Sequence, residues 1–162
     1  MANFYKYVPL LKRFEGGFSN NPNDAGGPTM RGVTLKTFRS FYGEGRTVAD
    51  LRNMTDEQWA HIMKAYWDRV RGDQIVDQRV ANMFADWYIN SGSHAIRNVQ
   101  RALGVDVDGI VGPKTLQRIN GNPDDVFELI RRTRLNYYYR LVQNDPRQRV
   151  FLKGWVNRVN AL

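Results

Sequence analysis

The chain of 162 residues contains no cysteine. That excludes a disulfide framework, cysteine-ligated zinc and every mechanism that uses a thiolate nucleophile. Histidine is almost as scarce, with only His61 and His94 present. Two imidazoles fall short of the three protein ligands of a typical mononuclear catalytic zinc site, so no metal or other cofactor is implied. No stretch approaches the ~18 uninterrupted apolar residues of a membrane-spanning helix. The first 14 residues interleave Lys6, Pro9, Lys12 and Arg13 with short apolar runs. They hold neither a secretory apolar core nor a small-residue cleavage site, so the expectation is a soluble product made in the cytoplasm without a signal peptide.

Acidic residues are sparse at one end. Residues 131–162 carry eight basic side chains and one acid, whereas residues 1–130 are nearly balanced, and the whole chain has a net charge of +8. A concentrated positive field attracts polyanions such as nucleic acid, anionic lipid or an anionic wall polymer. Arg147, Arg149 and Arg158 are the candidates for such contact. A solvated helical face explains the same charges equally well. Apolar residues at 42% and aromatic residues at 12% are ample for a folded core. A chain of this length buries ~70% of its unfolded surface.

Hydrophobic spacing predicts a mainly α protein. Phe4, Tyr7, Val8, Leu11 and Phe14 recur at helical intervals, with Pro9 expected to kink or restart the turn. Residues 15–34 are rich in Gly, Asn, Asp and Pro and predict a loop, with room for a small hairpin near residues 16–34. Thr34 can cap a short helix through Tyr42. Thr55 and Gln58 have capping-box spacing before a stripe of Trp59, Ile62, Met63, Tyr66, Trp67 and Val70. A further helix is predicted over 78–90, with Val80, Met83, Phe84 and Trp87 inward. Ser93 is the expected cap of the next, which Gly104 ends. Gly112-Pro113 and Asn122-Pro123 each place proline at a first helical position, the second opening a long helix to about Asn144. Pro146 is expected to start a final helix with Val150, Phe151, Trp155 and Val159 on its inner face. The nearest thing to a module boundary falls at residues 90–93. The expected division is 1–90 and 91–162, packed as one compact unit.

The segment FEGGFSNNPNDAGGPTMRGVT, residues 14–34, carries the chemistry. Glu15 stands at a predicted helix end, and Asp24 lies nine positions on in a loop with Gly26, Gly27, Pro28 and Thr29. A carboxyl group placed against apolar neighbours such as Phe14 and Phe18 can have its pKa raised, because burial penalises the charged form, and such a group can donate a proton near neutral pH. A second carboxylate facing it can activate water or support positive charge at a sugar carbon, the pair of roles that glycosidic cleavage requires. A hydroxyl such as that of Thr29 can position the water. The plainer alternative makes Glu15 a solvated helix-terminal acid and Asp24 an ordinary turn residue.

The same residues resemble the signature of glycoside hydrolase family 108, in which Glu-Gly-Gly-aromatic leads into Pro-x-Asp-x-Gly-Gly-x-Thr. Glu15, Gly16, Gly17, Phe18, Pro22, Asp24, Gly26, Gly27 and Thr29 carry the match. The resemblance implies a lysozyme-like helical fold and N-acetylmuramidase activity on peptidoglycan, with Glu15 as proton donor. The Glu, Asp, Thr order also resembles the triad of phage-type lysozymes. Four residues separate Asp24 from Thr29 here, where those lysozymes usually have five. VQRALGVDVDGIVGPKTL, residues 99–116, is similar to the peptidoglycan-binding region that accompanies the family. Asp108-Gly109 within it reads as a turn that sets the angle between two helices, and glycan contact is the alternative. It is not a calcium loop, because Thr115 stands where a bidentate glutamate would be needed.

Tyr88 and Asn90 suit the face and hydroxyls of a sugar and are candidate cleft residues, whereas Trp87 is assigned to the core. The expected partner is peptidoglycan, with anionic envelope contact through the basic segment, no specific nucleic acid, and a monomeric chain. The resemblance leaves open a phage endolysin, made in the host cytoplasm and acting in the periplasm or on the wall after release, or a cellular muramidase that assists secretion. A lytic transglycosylase and a non-catalytic wall- or nucleic-acid-binding protein are the rival classes.

Overall fold

A computed structural model describes residues 1–14, 16–21 and 26–162. Helix α1 (Phe4–Phe14) leads into a three-stranded antiparallel sheet of β1 (Phe18–Ser19), β2 (Thr29–Met30) and β3 (Val33–Thr34). Helices α2 (Leu35–Tyr42), α3 (Val48–Arg52), α4 (Asp56–Arg69), α5 (Gln78–Ser91), α6 (Ser93–Leu103), α7 (Pro113–Ile119), α8 (Pro123–Asn144) and α9 (Arg149–Asn160) follow. Single 3₁₀ turns at Gly72–Gln74 and Pro146–Gln148 precede α5 and α9. The mainly α architecture with a small hairpin is as the hydrophobic spacing predicts.

The hairpin is built by two left-handed residues. Met30 pairs with Val33 across Arg31 (φ 51°) and Gly32 (φ 81°). Positive φ at both central residues is what a type I′ turn needs to match strand twist. Arginine is a costly choice there, and α4 supplies the contacts that hold it. The indole N–H of Trp59 donates to the Arg31 carbonyl at 3.1 Å. The Arg31 guanidinium lies 4.6 Å over the Trp59 ring and pairs with Asp56 at 2.7 Å.

Several helix ends form as their sequences dictate. Thr34 accepts from Thr37 N–H at the start of α2, and Thr55 with Gln58 makes a reciprocal capping box on α4. Gly104 closes α6 in the left-handed conformation, and Pro113 and Pro123 occupy first turns. Elsewhere the structure differs. Helix α1 runs through Pro9, because Phe4, Tyr7 and Leu11 bury one continuous face and the Tyr5 turn that loses its bond is open to water. Ser93 is not a cap. It is the first helical residue of α6, and Gly92 makes the whole turn from α5 at φ 60°, ψ −141°, a conformation glycine tolerates. The 3₁₀ turn after Pro146 delays α9 to Arg149, so Val150 faces solvent while Val159 is buried. The short α3, with its Thr47–Asp50 capping box, has too few apolar residues to announce itself by periodicity.

The core gathers Tyr7, Phe38, Trp59, Trp67, Phe84 and Trp87, all essentially inaccessible. Trp67 stacks on Tyr7 with centroids 5.9 Å apart, and its N–H donates to Asp73 at 2.8 Å. The indole lies so close to the Gly72 backbone that a Cβ there would fall 2.1 Å from the ring. Helix α5 sits centrally, packed on α1, α4, α6 and α8.

Candidate active site

An open groove of about 490 Å³ runs between the sheet and the helices. Thr29, Gly32 and Thr34 supply one wall. Ile89, Asn90, His94, Tyr137, Phe151, Trp155 and Arg158, from α5, α6, α8 and α9, supply the other. It continues past Asn90, Trp155 and Arg158 into a second concavity bounded by Phe14 and Asn157. Phe14, immediately before Glu15 in sequence, and Gly26, two residues after Asp24, both border this system. Glu15 and Asp24 themselves lie outside the described residues.

Thr29 and Asn90, singled out by sequence, face the same groove from opposite walls. Thr34 spends its hydroxyl on capping α2, whereas no described residue engages the hydroxyl of Thr29. Asn90 accepts from the Tyr138 hydroxyl at 2.7 Å through Oδ1, which fixes the amide and leaves its N–H₂ group without an acceptor among the described residues. Tyr88 does not join them. It packs edge-on against Tyr66 with centroids 5.7 Å apart, and the groove wall is formed without it. Tyr137, Phe151 and Trp155 provide the aromatic lining instead. Trp155 is held flat by stacking on Tyr138 at 4.9 Å. The spacing of Phe151 and Trp155 signals an inward helix face, and nothing local distinguishes a core-facing ring from one at the edge of a cleft.

Beneath the groove lies a charge cluster that local patterns do not reveal. Asp86 of α5 is fully buried. Its carboxylate accepts from the Tyr7 hydroxyl, from Arg134 at 2.8 Å, and from Arg158 through two N–H groups at 2.8 and 2.7 Å. Burial alone would raise the Asp86 pKa, but Arg134 and Arg158 outweigh it and bring it down to about 2. Asp86 is therefore a fixed anion rather than a proton donor. Arg134 also donates to Tyr138 at 2.9 Å, and Tyr138 to Asn90, so the chain of bonds reaches the groove wall. Arg158 covers the Phe14 ring at 4.8 Å. This corrects the expectation that Arg158 belongs to an outward cationic surface. Its side chain is 20% exposed and committed to Asp86.

The rest of the basic segment is also partly spoken for. Arg131 pairs with Glu128 and Arg147 with Asp145, leaving Arg132, Arg140, Arg149 and Lys153 outside any ion pair among the described residues. No group of three potential metal ligands occurs among the described residues. No helix among them is long and apolar enough to cross a membrane.

The 99–116 segment is organised by Gln100, which is fully buried between α6 and α7. Its amide nitrogen donates to Asp108, the Ile110 carbonyl and Thr115, and its oxygen accepts from Asp108 N–H and Gly109 N–H. Gly109 turns at φ 76° under the Arg97 guanidinium. The segment thus fixes the passage from α6 to α7.

A cleft between a small sheet and a helical body, with a threonine and an amide on facing walls, is the arrangement of a lysozyme-like fold, and two family matches make the chain a glycoside hydrolase that acts on peptidoglycan. Residues 9–92 match the family model for glycosyl hydrolase 108, and the chain belongs to that family. Residues 94–160 match the model of a predicted peptidoglycan domain. A solved structure of Brucella abortus SagA is similar, with a TM-score of 0.85 at 31% identity over 97% of this chain and 89% of that one. No curated protein sequence matches the chain.

Proposed function

We propose that this protein is an N-acetylmuramidase that cleaves the bond between N-acetylmuramic acid and N-acetylglucosamine. Glu15 protonates the leaving oxygen, Asp24 serves as base or electrostatic stabiliser, and Thr29 positions the water. The observation that carries this reading is that Thr29 and Asn90 share a groove that Gly26, two residues after Asp24, lines and whose extension Phe14, immediately before Glu15, borders. The described carboxylate closest in sequence to the α5 wall, Asp86, is unsuited to proton transfer because it is enclosed and held by two guanidinium groups. The amide of Asn90 and the ring of Trp155 offer a hydrogen-bond donor and an apolar face, the two features a pyranose ring uses. Trp155 takes the role that the sequence suggested for Tyr88.

Product analysis of digested peptidoglycan tests the bond and the chemistry together. A muramidase leaves reducing N-acetylmuramic acid ends. Anhydro-muramic ends would make it a lytic transglycosylase, and reducing N-acetylglucosamine ends would move cleavage to the other bond.

The biological setting proposed is that of a phage endolysin, produced in the host cytoplasm and reaching the wall after release, acting as a monomer. Arg132, Arg149 and Lys153 add a salt-screened attraction to anionic envelope surfaces. Expression beside a membrane-permeabilising holin should lyse cells, and expression alone should not. Lysis without permeabilisation would contradict the release step.

A further inference from the structure

A separate pocket lies one helical turn along from the groove, on the face shared by α6 and α8. It measures about 190 Å³ and is lined by Asn98, Arg101, Thr133, Asn136 and Arg140. Its position relative to the groove follows from helix geometry. His94 and Leu141 line the groove, while Asn98 and Arg140 line this pocket; Asn98 donates to the His94 carbonyl at 2.8 Å. Tyr137 and Asn136 are adjacent on α8, one on each site.

The charge state of the pocket is unbalanced. Arg101 donates to Asn98 Oδ1 at 3.2 Å, and Arg140 approaches the same oxygen at 3.5 Å. Two guanidinium groups therefore converge on one neutral amide oxygen, and neither has a carboxylate partner among the described residues. Elsewhere on α8, Arg131 is answered by Glu128 and Arg134 by Asp86. Like charges held this close repel each other, and an anion seated between them relieves the repulsion and gains charge-assisted hydrogen bonds. The hydroxyl of Thr133 is spent on the Leu129 carbonyl, so the pocket's own recognition rests on the two arginines and Asn136.

We propose that this pocket is a subsite for the carboxylate groups of peptidoglycan stem peptides. The inference rests on the peptidoglycan reading of the neighbouring groove. A glycan chain lying there carries a peptide branch on each muramic acid, and those branches bear free carboxylates. A planar, bidentate guanidinium pair beside the groove matches them in charge and geometry. The subsite would make the enzyme favour strands that still carry their stems over strands that have lost them.

The test uses the full chain with Arg101→Gln and Arg140→Gln combined. Both side chains are exposed and lack acid partners among the described residues, so the melting temperature should stay within a degree or two of wild type. Substrates are uncrosslinked glycan strands with stems and the same strands after an amidase has removed them. The expected result is a loss of about five- to tenfold in kcat/KM on stem-bearing strands at low salt, consistent with two partly exposed charge pairs. The preference for stem-bearing over stem-free strands should collapse by the same factor, and the loss should shrink as salt rises. Equal losses on both substrates, or no loss on the stem-bearing one, would overturn the proposal. So would an unaltered stem preference combined with weakened binding to a phosphodiester wall polymer, which would assign the pocket to that polymer. Titration of a soluble disaccharide–tetrapeptide against the bare disaccharide decides the point without catalysis. A wild-type protein that cleaves neither strand would sink the hydrolase reading, and this titration would still report on the pocket.

Discussion

Asp86 is the residue on which the architecture turns. One carboxylate with no exposure receives donors from α1, α8 and α9, through Tyr7, Arg134 and Arg158. Its pKa in the fold is about 2, below the ordinary aspartate value of 3.8. A depressed folded pKa contributes stability that is fully present above the unfolded value and is lost as pH falls toward the folded one. The linkage amounts to roughly 2 kcal/mol, given about 1.4 kcal/mol per unit. Wild-type protein should therefore lose stability between pH 4 and pH 2, as measured by thermal melts across that range. Asp86→Asn should lower stability at pH 7 by about 3–5 kcal/mol, since Arg134 would remain buried without its anion. The variant should also flatten this part of the pH profile. A variant whose melting temperature falls with acid as steeply as the wild type would show that other carboxylates carry the acid sensitivity.

Among the elements, the turn from α6 to α7 depends on one side chain. Gln100 answers two backbone N–H groups, a backbone carbonyl and two side-chain oxygens. Gln100→Ala leaves the Asp108 and Gly109 N–H groups without that acceptor and opens a cavity. The expected cost is roughly 2–4 kcal/mol, or about 5–15 °C in melting temperature for a chain of this size. A shift under about 2 °C would mean that water replaces the amide without loss. Elements of this kind also explain what the sequence makes legible. Thr34, Thr55, Gly104, Pro113 and Pro123 act within three or four residues of themselves, so each helix end they control can be found without tertiary knowledge. Ser93 fails because Gly92 completes the turn first. Asp86 gives no signal inside its helix, because its partners lie 48 and 72 residues away. Tyr88 and Trp155 illustrate the same limit at the site. Both are aromatic residues on amphipathic helices, and only the packing of Tyr66 against one and of Tyr138 beneath the other decides which borders the groove.

At the scale of the whole molecule, the two family matches meet through shared charge and shared surface. Asp86 lies in the glycosyl hydrolase match, and its partners Arg134 and Arg158 lie in the peptidoglycan match. Arg158 also covers Phe14, so the final helix braces the end of α1 from which residue 15 follows. The groove itself draws its lining from both sides of that junction, Thr29 and Asn90 from one match and Trp155 from the other. Cleavage within it is proposed to depend on the carboxyl group of Glu15, and Glu15→Gln tests this most directly. The amide keeps the size of the side chain but cannot deliver a proton to the glycosidic oxygen. The measurement is release of reducing ends from purified peptidoglycan, beside a thermal melt of the same preparation. General acid assistance is typically worth about 10²–10⁴ in rate, so a folded variant that still binds insoluble peptidoglycan should lose at least a hundredfold in turnover. A folded Glu15→Gln protein that retains more than about a tenth of wild-type activity would contradict the proton-donor assignment, since general acid catalysis requires a larger loss.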